Sequence, residues 1–218
     1  MSLHPFPAAS VRSHLAHARA IGLDRVIASA AARHGVRADV LTAIGSRESH
    51  LGQMPPLARD WTGDRGHGRG VFQIDDRWHG PFVRGHANDD HAAHADYAAR
   101  FLKRLVTRYG GDYVRALAAY NAGPGNVDKA LRQGRSAEHY TTGGDYATDV
   151  LARARIVAGG SAGGAAASSG LLSSRGPNWS VLASAVGAAA FFINPTAGAL
   201  TGVSLGLLAY AQSSRQSS

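Results

Sequence analysis

The chain has 218 residues, no cysteine, and 23 Lys and Arg against 15 Asp and Glu, for a formal net charge of +8; its sequence pI is near 10.4. Without cysteine nothing is stapled, so a fold has to come from packing alone. The charge draws such a protein to polyanions; nucleic acid is set aside because no helix-turn-helix and no basic-aromatic ladder stands out, which leaves acidic polymers and anionic lipid surfaces.

Apolar spacing predicts helices over residues 9–20, 24–34 and 37–49. In the third, Val36, Val40, Leu41 and Ile44 recur at helical spacing, and Glu48 follows one turn after Ile44 on the same face. A carboxyl group on a core-facing stripe is desolvated, which raises its pKa and suits it to act as a general acid. The same spacing fits a structural carboxylate paired with Arg47, Arg65 or Arg69, or a frayed helix end, and does not choose between them. Ser46 and Ser49 lie beside Glu48, but no GxSxG turn accompanies them, so packing or hydrogen bonding is their expected role.

Residues 62–80, TGDRGHGRGVFQIDDRWHG, are too glycine-rich for a helix, and VFQID has the alternation of a short strand or hairpin edge. Gly63, Gly66, Gly68 and Gly70 permit sharp turns, with Asp64 and Asp75 flanking them. Together with Glu48 they supply what a glycosidase requires, about two carboxyl groups in unlike environments, one protonated and one ionised.

Further helices are expected over 89–109, 112–121, 125–133 and 145–158. His86, His91 and His94 lack an HExxH pattern or a third ligand at suitable spacing, so a solvated helix face is expected there, with no metal and no cofactor. Ala118 to Val127 reads AAYNAGPGNV, a helix running into a Gly-Pro-Gly stop. Tyr120 and Asn121 at its end offer neutral hydrogen-bonding groups of the kind N-acetylated sugars need.

Four motifs in order over residues 44–155, SRESH, GDRGHGRGVFQID with a His four residues after its last Asp, AYNAGPGNV and GGDYATDVLARA, resemble the goose-type lysozymes. That group shares its lysozyme-like fold with the soluble lytic transglycosylases. The resemblance implies an α+β, predominantly helical domain over residues 1–158, with a small β-hairpin and with peptidoglycan glycan strands as substrate. It makes Glu48 the general acid and Asp75, assisted by Asp64, the group that positions water. Gln73, His79, Tyr120, Asn121 and Tyr146 fall on positions that line the family's sugar cleft. Val71-Phe72 stands where the family has Leu-Met, the spacer from Gly52 to Trp61 differs from the vertebrate proteins, and the disulfides of secreted animal members are missing. A cysteine-free chain points to a bacterial or bacteriophage member.

Two other readings remain at this stage. In a lytic transglycosylase Glu48 would serve as both acid and base, and the muramic acid's own hydroxyl would replace water; the two aspartates favour hydrolysis. In a non-catalytic wall-binding or membrane-active protein the tail would act and the domain would only dock.

Residues 159–178 are dominated by Gly, Ala and Ser and read as a linker. Val181 to Ala211 carries no charge and is long enough for a membrane span of about 20 residues, but Asn194-Pro195 divides it. A hydrophobic helical hairpin over 179–212 is expected, with Gly198, Gly202 and Gly206 on one face and Trp179 and Tyr210 at its ends, followed by a polar tail over 213–218. Such a hairpin suits an anionic membrane surface. The first 20 residues, MSLHPFPAASVRSHLAHARA, lack the continuous apolar region of a secretory signal. Action at the bacterial wall or periplasm after release or delivery, with inner-membrane association through the hairpin, is the expected location.

Overall fold

The computed structural model describes residues 8–54 and 60–161. Within them lie helices α1 (Ala8–Ala20), α2 (Leu23–His34) and α3 (Ala38–Ser49), then strands β1 (Thr62–Gly63), β2 (Gly68–Arg69) and β3 (Ile74–Asp75). Helices α4 (Asp76–Gly85), α5 (His91–Arg108), α6 (Tyr113–Ala122), α7 (Pro124–Arg132) and α8 (Tyr146–Ser161) follow. The expected α+β, mainly helical architecture is what forms. The expected hairpin over 179–212, the linker beyond Ser161 and the polar tail lie outside the described residues.

Helix α3 is the centre of the packing. Val40, Leu41, Thr42, Ala43, Ile44, Gly45 and Ser46 are all buried, so the helix is enclosed on nearly every side. It packs against α8 and α2, and the face it meets on α8 presents Ala147, Val150, Ala154 and Val157. Helix α5 is amphipathic in the ordinary way: Ala95, Ala98, Ala99, Leu102 and Leu105 point inward, while Arg100, Lys103, Arg104 and Arg108 are exposed. A smaller cluster of Leu105, Ala116, Ala118, Ala119, Val127 and Ala137 joins α5, α6 and α7.

Helix boundaries follow local chemistry. Gly22 at φ 73° and Gly35 at φ 61° bracket α2 in the left-handed conformation that glycine adopts without strain. Asp90 caps α5 by accepting from the backbone N–H of Ala93, and Asp112 does the same for α6 through Arg115.

Four expectations need correction. VFQID is not a strand of five: only Ile74–Asp75 pair, giving an antiparallel three-stranded sheet in the order β1-β2-β3 rather than a simple hairpin. Val71 and Phe72 are instead buried plugs between β2 and β3, and Gln73 takes φ 46° to make that turn. Residues 76–80, assigned to a region too glycine-rich for a helix, open α4, because the Asp75 carboxylate accepts from the backbone N–H of Arg77 and starts it. The helix then breaks at His79 and carries Pro81 inside it. The expected solvated face at His91 and His94 is also wrong. His94 is fully buried, its Nε2 bonded to the carbonyl of Ala87 at 3.1 Å, and His91 packs edge-on to Trp61. Helix α8 runs three residues into the segment expected to be linker.

Gly45 shows how tightly the centre is built. A Cβ there would lie 2.8 Å from Leu51 Cδ2 and 3.1 Å from Val71 Cγ1. Alanine would gain about 1 kcal/mol of helix propensity, but displacing two buried side chains costs about 1–3 kcal/mol. Gly45→Ala is therefore expected to lower stability in urea unfolding; an increase would mean that Leu51 and Val71 yield freely.

Candidate functional site

Glu48 sits in the last turn of α3, which ends where His50 turns left-handed at φ 54°. Its carboxylate Oε1 accepts a hydrogen bond of 2.5 Å from the hydroxyl of Tyr146, the first residue of α8. Among the described residues Glu48 forms no ion pair, so the structural pairing with Arg47, Arg65 or Arg69 does not occur. Arg47 turns to Asp149 at 3.2 Å and lies over the Tyr146 ring; Arg69 goes to Asp76 at 3.0 Å; Arg65 is exposed.

Desolvation pushes the Glu48 pKa up to about 7. The Tyr146 hydrogen bond and the positive fields of Arg47 and Arg153 oppose that rise, and the negative field of Asp64 adds to it. Near neutrality a large share of Glu48 therefore carries its proton. Tyr120 and Tyr146 are both held well above the usual phenol range, first by burial and then by the Glu48 charge, so both stay neutral donors.

The two aspartates meet on one guanidinium. Arg77 reaches the Asp64 carboxylate at 2.9 Å through Nη2 and spans both oxygens of Asp75, with Nε to Oδ1 at 2.9 Å. For Asp75, burial works to raise the pKa, but the side-chain and backbone hydrogen bonds from Arg77 outweigh it and leave the carboxyl below its ordinary range. The antiparallel register puts Gly68 opposite both Asp75 on β3 and Gly63 on β1, and Asp64 opens the turn that follows Gly63. The field of Asp64 is felt at Glu48, whereas that of Asp75 is felt at His79.

The remaining expected residues divide. His79 packs edge-on to Tyr97 and Phe101, with Nδ1 2.7 Å from the Tyr97 hydroxyl, and burial lowers its pKa. Tyr120 lies in both apolar clusters and faces Glu48 electrostatically. Gln73 folds back over Gly68 and donates from Nε2 to the Gly70 carbonyl at 2.8 Å, so half of its carboxamide holds its own loop. Asn121 is buried, and its side-chain oxygen accepts from the backbone N–H of Thr142 at 2.8 Å. That bond fixes the loop leading to Tyr146.

Four residues that sequence reasoning passed over hold this arrangement. Arg77 clamps the aspartates, and its position two residues after a helix-capping Asp was the available signal. Tyr97 orients His79. Glu138 accepts from the backbone N–H of Thr148 at 2.9 Å and from its hydroxyl at 2.8 Å, capping α8 where Tyr146 begins it. Arg153 is 1% exposed and donates to Asp149 and to the carbonyl and hydroxyl of Ser46.

A mainly helical domain with a small antiparallel sheet, in which a raised carboxyl meets a buried tyrosine and lies in the field of Asp64, fits a lysozyme-like class. The profile of the family described as Lysozyme g matches residues 21–158, and the chain belongs to that family. Lysozyme g of Gallus gallus is 36% identical over 125 residues, covering 53% of this chain and 54% of that protein. For Lysozyme g of Struthio camelus the identity is 36% over 126 residues, with 53% and 56% covered. Lysozyme g of Epinephelus coioides is 30% identical over 147 residues, 59% of this chain and 71% of that protein. The chain thus spans little more than half the length of the bird proteins.

The raised Glu48 pKa has a cost in stability that can be measured. A carboxyl whose folded pKa lies above its unfolded value binds an extra proton in the folded state, so its contribution is favourable below the unfolded pKa and fades as pH rises through the folded one. With 4.5 unfolded and about 7 folded, Glu48→Gln should be more stable than wild type at pH 8 by about 1–3 kcal/mol. At pH 4 that advantage should vanish. Denaturant unfolding at the two pH values checks it, and an equal offset at both would contradict the shift.

Proposed function

We propose that this chain is a muramidase, a glycoside hydrolase that cuts the β-1,4 bond between N-acetylmuramic acid and N-acetylglucosamine in peptidoglycan at the bacterial wall. The observation that carries the reading is the split between its carboxyl groups: Glu48 raised to about 7 and Asp75 held below its ordinary range. Acid and ionised partner at one pH are what glycoside hydrolysis requires. Membership of the lysozyme g family supports the same substrate class.

In this mechanism Glu48 gives its proton to the glycosidic oxygen as the bond to the muramic acid C1 breaks. Tyr146, donating to Oε1, fixes the carboxyl so that the other oxygen can present the proton. Water adds to C1 from the opposite face and loses its proton towards the aspartates. Asp75, bound on both oxygens by Arg77, is a weak base and acts chiefly by orienting water and offsetting positive charge on the sugar. Asp64 shares Arg77 through one oxygen and keeps the other for the water.

Glu48→Gln is expected to reduce kcat/KM by about 10²–10⁴-fold. Wild-type activity should fall as pH rises through about 7, because the active form of Glu48 is the protonated one. Digestion of purified peptidoglycan in oxygen-18 water, read by mass spectrometry, should give reducing muramic-acid ends carrying the heavy oxygen. Unlabelled anhydromuramoyl ends would instead identify a lytic transglycosylase, and unchanged lysis by Glu48→Gln would remove Glu48 from the chemistry.

A further inference from the structure

Arg100, Lys103 and Arg104 stand exposed on the outward face of α5 and form no ion pair among the described residues. Arg108, one turn further on, is already taken by Asp128. Lys103 leans towards Gly35 at the C-terminal end of α2, where a cation is favoured. The two arginines are held differently. Arg100 lies over the Tyr97 ring at 5.3 Å and Arg104 over the Phe101 ring at 5.5 Å. Those are the rings that flank His79, at 5.5 and 5.3 Å.

Arg100 also lines a groove of about 390 Å³ between α4 and α5, floored by Tyr97 and Phe82. The carboxylate in that groove, Asp96, is bound by Arg33 and His34, each at 2.9 Å, so it is compensated from its far side. A guanidinium resting on an aromatic face loses less freedom on binding an anion than one on a free side chain. Arg100 and Arg104 are one helical turn apart, about 6 Å along the axis. Two such cations in a row match a polymer with repeated charges better than a single carboxylate.

We infer that the outward face of α5, through Arg100 and Arg104 with Lys103 between them, docks a phosphodiester polyanion carried on the same wall as the glycan. Guanidinium pairs with phosphate oxygens in a bidentate way, and the net charge of +8 favours the encounter. A polymer tethered beside the substrate is preferred to a lipid surface because the rings of Tyr97 and Phe101, on which the two arginines rest, flank His79, four residues after Asp75. That placement rests on the muramidase reading.

The test is co-sedimentation of the full chain, carrying Glu48→Gln so that walls stay intact, with walls that retain their phosphodiester polymer and with the same walls stripped by hydrofluoric acid. Adding Arg100→Gln and Arg104→Gln should weaken binding to the intact walls about tenfold and make its salt dependence shallower by about one to two in log–log slope. Binding to stripped walls should not change. Equal loss on stripped walls would assign the row to carboxylates of the glycan or its peptides and overturn the inference. So would no loss on either wall, or a loss seen only with phosphatidylglycerol vesicles. A wall suspension that cleared despite Glu48→Gln would contradict the muramidase reading instead, and binding of soluble poly(glycerol phosphate) would still decide the docking row.

Discussion

The hydrogen bond from Tyr146 to Glu48 joins the last turn of α3 to the first residue of α8, and most of the surrounding polar structure exists to keep it as it is. A buried carboxyl beside an arginine ordinarily ionises and pairs. Here Asp149 draws Arg47 away at 3.2 Å, with Asp145 at 3.9 Å, and the same Asp149 takes Nε of the buried Arg153 at 3.0 Å. Nη1 of Arg153 donates to the carbonyl and the hydroxyl of Ser46. The cations nearest Glu48 are thus committed to another carboxylate, and a neutral phenol is left as its partner. Desolvation wins because those cations, whose fields still favour the carboxylate, make no direct ion pair with it.

The opposite solution holds Asp75. Arg77 is more exposed than either of its partners, with side-chain exposures of 40% for Arg77, 22% for Asp64 and 12% for Asp75. A surface ion pair of that kind contributes little to stability. Its effect is geometric: one planar guanidinium fixes the carboxylate of Asp75 on β3 and that of Asp64 in the turn after β1, and it favours ionised Asp75 where burial favours protonated Glu48. The small sheet has little apolar area of its own and is anchored by Val71, Phe72 and Ile74, which are buried in the main core.

Much of the helical frame and the environment of Glu48 were legible in the chain, because a 3.6-residue apolar period reports which face is buried. The period places Glu48 on the core side of α3 without reference to any relative. What periodicity cannot report is a partner far away in sequence. The Tyr146 bond spans 98 residues and the Arg153 bond to Ser46 spans 107, so the choice between an acid and a structural ion pair was undecidable locally. Helix α4 was hidden for a different reason. Gly80, Pro81 and Gly85 lower its intrinsic propensity, and the Asp75 cap and tertiary contacts override them. His94 was misread as solvated because a histidine on a polar stretch looks the same whether its ring meets water or, as here, closes against Gly70, where a Cβ would come within 2.4 Å of Nδ1.

The lack of cysteine bears on how the site can stay assembled. A disulfide would act mainly by restricting the unfolded chain, whereas the ties found here act in the folded state. Tyr146 to Glu48, Arg153 to Ser46, Arg33 to Asp96 and Asn121 to Thr142 each join elements distant in sequence. Two of them, from Tyr146 and Arg153, leave the same helix and land within two residues of each other on α3. The pairing of α3 with α8 therefore both builds the core and sets the environment of Glu48, and a change that loosens the helix contact must also alter the acidity of that carboxyl. Stability and chemistry are coupled through one interface, because the helix contact that desolvates Glu48 is the one that Tyr146 and Arg153 lock, while the same two groups moderate the rise in its pKa.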